Sequence, residues 1–265
     1  MICDRYSQDL PPRFYIGKMG VSVVTLEDVM RLLDLRVCQG RPAYVCAANV
    51  EAAVLSQRDP PFCRIQNESF MTLPDSMPLT WCARLGGQRN ISRVSGPDLM
   101  LEVLKVSAQR GYTHYFYGDT KETLESVRQV VHARFPGVRI IGMHSPPFRA
   151  LTDEEEQAAI DEMNRLEPSF IWVSLGCPKQ ERWVGRIFPR IKSSIVIPVG
   201  AAFRFLVGEY RHAPRLLQIC GLEGIYWRGF THPVQSAKWY GYHIPAFGSL
   251  LLGGLARRFS RPTQS

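Results

Sequence analysis

The sequence predicts an α/β protein, a Rossmann-like parallel sheet with helices on both faces, followed by a basic C-terminal appendage. Three observations carry this. Short apolar runs alternate with helical patterns through the middle of the chain. Several of those runs end at a glycine, and acidic residues almost vanish after Tyr210. With 265 residues, 45% of them apolar, the chain can bury one large core. The expected division is a Rossmann-like domain over residues 1–210 and an appendage over 211–265.

The elements follow in order. Residues 44–47 form an apolar run, and a helical pattern covers 50–57. Residues 69–72 are apolar and close in the turn Leu73-Pro74-Asp75-Ser76. Over 98–109, Leu99, Val103 and Val106 share a helical face, with Gly111 as the stop signal. Residues 114–117 read as a strand ending at Gly118. The next helix runs from 120 to about 135, with Asp119 and Glu122 spaced as a capping box. Residues 138–141 form a strand ending at Gly142. Thr152 and Glu155 cap a helix that stops before Pro168. Strands over 169–175 and 194–199 end at Gly176 and Gly200. Strands separated by single helices pair in parallel, with the helices covering both faces.

The formal net charge of +8 asks for an anionic partner. From Arg211 onward seven basic residues face a single acid, Glu223, and they alternate with Trp227, Trp239, Tyr240, Tyr242 and Phe247. That interfacial mixture points to an anionic membrane surface rather than nucleic acid. Seven cysteines without a CxxC pair fit a reducing compartment. Residues 1–12 lack the pattern of a secretory signal. The weakly polar stretch 244–256 is shorter than the roughly 20 residues a membrane span needs. The expected location is the cytoplasm, peripheral on the inner face of the membrane. Homo-oligomerisation stays open, because the tail could bury its apolar face against a neighbour instead of lipid.

In open parallel sheets ligands bind beyond the carboxyl ends of the strands. Gly118, Gly142, Gly176 and Gly200 would all lie there. The segment Gly176-Cys177-Pro178-Lys179-Gln180-Glu181 puts Pro178 at a first helical position, so a helix start beside Lys179 suits a phosphate or a uracil carbonyl. An ordinary turn with an exposed lysine explains it equally well. Asp75, just past a strand, can project a carboxylate as general base, although Pro-Asp alone is a plain turn signal. In Arg93-Val94-Ser95-Gly96-Pro97-Asp98, Ser95 and Gly96 fit an anion site and Arg93 could pair with a pyrophosphate; a capped helix start is the competing explanation. Asn49 with Glu51 is a fourth, weaker pair. The chain has no GxGxxG, no GxxxxGK[ST] and no Asp-x-Asp, and its six histidines show no ligand spacing. No metal and no cofactor are expected. The missing glycine fingerprint counts against a nicotinamide-dependent oxidoreductase, which such a sheet would otherwise suit.

The ordered set Asn49-Val50-Glu51, Leu73-Pro74-Asp75, Arg93 to Asp98, Gly176 to Glu181, Gly200-Ala201-Ala202-Phe203 and Arg211-His212-Ala213-Pro214 resembles the WecG/TagA/CpsF glycosyltransferases. The likeness runs from about Phe14 to about Arg228. It implies inverting, metal-independent transfer from a UDP-sugar to a saccharide on undecaprenyl pyrophosphate, with an appendage that brings the enzyme to the membrane. It implies Asp75 as catalytic base. Asn49, Arg93, Lys179, Gln180 and Glu181 fall at cleft positions of the family, and Ser95, Gly96, Gly118, Gly176, Gly200 and Phe203 complete the expected donor site. Arg211, Arg215 and Arg228 fall where the appendage supplies cations. Three positions depart from the family pattern. Ala47 replaces a threonine, Arg204 an aspartate and Gly224 a tryptophan. These changes favour UDP-glucose in exopolysaccharide assembly as the expected donor, ahead of UDP-N-acetylmannosamine or its uronic acid.

Overall fold

The computed structural model describes residues 10–211, 213–214, 216–217, 226 and 240–251. Arg215, Gly224 and Arg228 lie outside the described residues.

The chain opens with a hairpin, β1 (Arg13–Ile16) and β2 (Met19–Ser22), turned at Gly17, whose φ is +61°. Then come α1 (Leu26–Cys38), β3 (Ala43–Ala48), α2 (Val50–Arg58), α3 (Pro60–Glu68), β4 (Met71–Pro74), α4 (Met77–Leu85) and α5 (Gly96–Arg110). β5 (Thr113–Gly118), α6 (Lys121–Arg134), β6 (Arg139–His144), α7 (Asp153–Leu166) and β7 (Phe170–Ser174) follow. The sheet closes with α8 (Lys179–Ile187), β8 (Ile195–Pro198) and α9 (Ala202–Leu206). Six strands form one parallel sheet in the order β4-β3-β8-β7-β5-β6.

Side-chain alternation along the strands builds two cores. Phe116, Trp172 and Ile197 face α1, α5, α6 and α9 through Leu33, Leu99, Val103, Val127 and Phe203. Tyr115, Tyr117, Ile171, Val173 and Val196 face α7 and α8 through Ile160, Met163, Val184 and Ile187. Such side chains are worth about 1.5–3 kcal/mol each when fully buried. A third cluster joins the hairpin to α2, α3 and α4, and Phe247 of the C-terminal helix (residues 240–251) is buried in it. Through Phe247, Ala246, Leu250 and Leu251 this helix packs against those N-terminal elements. No helix of the described residues is long and apolar enough to cross a membrane.

Three local expectations are corrected. Gly142 lies inside β6 rather than at its end, where it serves close packing instead of a turn: a Cβ there would meet the Tyr115 ring at 2.3 Å. Asp119 does not cap α6; Thr120 does, accepting from the Thr123 N–H. Pro178 is not the first helical residue of α8 but its N-cap, after a cis Cys177–Pro178 bond. The Thr152–Glu155 capping box is present as expected.

Candidate functional site

The carboxyl ends of the six strands carry nearly all the polar residues singled out in the sequence. At the end of β3, Asn49 caps α2, its Oδ1 accepting the Ala52 N–H at 3.0 Å. The cap consumes that oxygen, so the helix it starts is fixed to the strand end. At the end of β4, the Asp75 N–H donates to Ala48 O at 2.9 Å, which ties the two strand ends together.

Asp75 is held by Gly96 and by Arg93, which Asp98 in turn holds. Its Oδ1 accepts the Gly96 N–H at 3.0 Å, its carbonyl accepts Arg93 Nε at 3.0 Å, and Arg93 Nη1 pairs with Asp98 at 3.1 Å. Ser95 caps α5, accepting from the Asp98 N–H. This changes the expected role of the α5 start. The first N–H of the helix, which the sequence offered to a phosphate, is taken by the protein's own carboxylate, where the helix dipole favours a negative group. Gly96 is needed there because a Cβ would stand 3.1 Å from the Val199 backbone.

Gly118 ends β5 with φ +114°, and a Cβ on it would lie 2.2 Å from Ser174 O. The crowding lets the Asp119 N–H donate to that same oxygen at 3.1 Å. Asp119, with φ +56°, makes a two-pronged pair with Arg204 of α9, at 3.1 and 3.0 Å. Its side chain is only 6% exposed. The partner carboxylate raises the Arg204 guanidinium further above its already high range. Sequence reasoning noted Arg204 only as a departure and Asp119 only as a cap; their pairing was invisible without the fold.

The ends of β7 and β8 are linked by Ser174 Oγ donating to Gly200 O at 2.7 Å, and the Gly200 N–H donates to Gln180 Oε1 of α8 at 3.0 Å. Gln180 Nε2 donates onward to Glu181 Oε1 at 2.9 Å. Burial pushes the Glu181 carboxyl up to about 7 and the Cys177 thiol beside it well above its ordinary range. Lys179 and Gly176 are exposed at the start of α8, and no side chain caps that helix.

The fold thus gathers Asn49, Asp75, Arg93, Ser95, Gly96, Gly118, Gly176, Lys179, Gln180, Glu181 and Gly200 along one edge. Phe203 is the exception. It is fully buried, its ring 5.3 Å from that of Phe116, so it supports the site from the core rather than lining it. Arg211 is exposed after α9. Cys38, Cys46, Cys63, Cys82 and Cys177 are all free thiols.

Comparison with known proteins identifies the family. An N-acetylglucosaminyldiphosphoundecaprenol N-acetyl-beta-D-mannosaminyltransferase of Bacillus spizizenii is 26% identical over 201 residues, 76% of this chain and 75% of that protein. Proteins of the same name from Bacillus subtilis and Staphylococcus aureus are 25% and 22% identical, each over 69% of this chain and 70% of their own length. The model of the glycosyl transferase WecG/TagA/CpsF family matches residues 14–261. That match spans nearly the whole sequence, and the chain belongs to the WecG/TagA/CpsF family of glycosyltransferases.

Proposed function

We propose that this glycosyltransferase moves an N-acetylmannosamine-type sugar from UDP to a saccharide carried on polyprenyl diphosphate, with inversion at the anomeric carbon. The observation that carries the reading is the Asp75 carboxylate, fixed by Gly96 at the end of β4. The names of the three relatives support N-acetylmannosamine over the glucose expected from the sequence departures. Family membership leaves the nicotinamide oxidoreductase reading without support.

In this mechanism Asp75 takes the proton of the acceptor hydroxyl as that oxygen attacks the anomeric carbon from the face opposite UDP. A positioned general base contributes on the order of 10²–10⁴-fold. The α5 start is filled by Asp75, so the departing diphosphate is assigned to the uncapped start of α8 beside Lys179. Arg211, with Arg215 and Arg228 of the appendage, would meet the remaining charge. The exposed Tyr242 and Ile244 of the C-terminal helix support a peripheral seat on an anionic membrane surface. The product would enter a cell-surface polysaccharide.

The test is UDP release from a panel of UDP-sugars, with and without a polyprenyl-diphosphate N-acetylglucosamine acceptor. The expected result is acceptor-dependent release with UDP-N-acetylmannosamine. Release with UDP-glucose alone would overturn the donor assignment, and release with no donor would overturn the activity.

A further inference from the structure

The start of α8 contains a buried acid whose environment is unusual for an anion-binding turn. Glu181 is 1% exposed, and its Oε2 has no hydrogen-bond partner. Its Oε1 is engaged by Gln180, which also accepts the Gly200 N–H and so joins the start of α8 to the end of β8. Hydrogen bonds from Gln180, the Glu181 backbone and Cys177 favour its charged form, but burial outweighs them. Cys46 faces it from β3, Cys177 from the loop before α8, and Glu51, of like sign, from α2. Arg13 of β1 acts on Cys46, Arg182 of α8 is paired with Asp59, and Lys179 points its charge into solvent as an exposed side chain. A carboxylate buried without a cation favours its neutral form.

We propose that Glu181 is a proton-linked positioning residue of the diphosphate site. Neutral, it leaves the positive end of α8 to the ligand and keeps Gln180 bridged to Gly200. Ionised, it places a negative charge in the same helical turn, where it competes with an anionic ligand for the helix dipole and repels it. The proposal rests on the assignment of the diphosphate to the α8 start. Burial is the main cause that brings Glu181 to about 7, with Glu51 adding to it, so the change of charge falls in the neutral range. Cys177 and Cys46, both raised by burial, stay protonated there.

A ligand that shifts the protonation of one group by one unit changes its own affinity about tenfold across that group's titration. Calorimetry of UDP binding to the full chain, from about pH 6 to about pH 8.5 and in buffers of different ionisation heat, reads this directly. Wild type should lose about tenfold in affinity over that range and take up protons on binding. Glu181→Gln freezes the neutral state. It should keep the low-pH affinity and bind with less proton uptake than wild type; ionisation of UDP's own phosphate is common to both proteins and cancels. Parallel affinity profiles in the two proteins would overturn the proposal while leaving the diphosphate assignment intact. Absence of UDP binding at every pH would overturn the assignment and the proposal together. If the variant does not fold, the stabilisation of wild type by UDP supplies the answer: it should shrink as pH rises, and a constant increment overturns the proposal.

Discussion

The Asp75 carboxylate and the Gly96 backbone N–H meet at 3.0 Å, joining the end of β4 to the first turn of α5. The bond orients the acid and fills a helix start that a phosphate could otherwise use. Asp75→Asn keeps an oxygen for Gly96 and removes the basicity. We expect turnover to fall on the order of 10²–10⁴-fold with UDP affinity nearly unchanged, checked by paired kinetics and calorimetry. Turnover within a few-fold of wild type would remove Asp75 from the chemistry.

Gly118→Ala asks a Cβ to occupy space 2.2 Å from Ser174 O at a φ that disfavours it. The strand ends must part to admit it. A loss of about 2–4 kcal/mol is expected, measured by denaturant unfolding. Gly176→Ala also has positive φ but meets nothing within 4 Å, so it should cost about 1 kcal/mol.

Arg204→Ala removes both prongs from the Asp119 carboxylate and leaves it nearly buried without its cation. Arg204 is itself about one third exposed, so the cost is moderated by solvent to about 1–3 kcal/mol. A double-mutant cycle with Asp119→Ala should show coupling of about 1 kcal/mol or more; additivity would mean that the pair does not fasten α9 to β5.

Two buried groups give stability opposite pH dependences. The Glu181 carboxyl is raised to about 7, so the native state holds its proton more tightly than the unfolded chain. Its contribution is present at low pH and is lost as pH rises from about 4.5 through about 7, by at most about 3 kcal/mol. His114 is depressed to about 3 by burial, between Ser107 and the Trp172 indole N–H. Its contribution is present above about 6.5 and is lost as pH falls toward 3. The two windows overlap between about 4.5 and 6.5, where the slopes oppose, so the melting temperature should level off there; in Glu181→Gln it should instead keep rising with pH up to about 6.5.

Phe247 is 6% exposed within the cluster of the hairpin, α2 and α4, whereas Ile244 on the same helix is exposed. Phe247→Ala should destabilise the protein by about 2–4 kcal/mol. Ile244→Glu should leave the melting temperature unchanged and weaken sedimentation with anionic vesicles. Unchanged vesicle binding would exclude this helix from the membrane seat.

By itself the sequence determined the α/β class, the parallel strands with their intervening helices, and the strand-end placement of Asp75, Gly118, Gly176 and Gly200. These depend on periodicity, caps and turn glycines, which are local properties read over a few residues. The hairpin turned at Gly17 was not read from the sequence; the structure supplied it. The sequence could not decide what each polar group faces. Ser95-Gly96 looked like a phosphate site and proved to hold Asp75, from 21 positions earlier. Asp119 looked like a cap and proved to hold Arg204, 85 positions later. Phe203, in a motif of the cleft, turned inward to Phe116, and the raised carboxyl of Glu181 depends on burial and on Glu51, far away in the chain. Strand order brought these partners together, and strand order is set by packing between non-neighbouring segments, for which no local pattern exists.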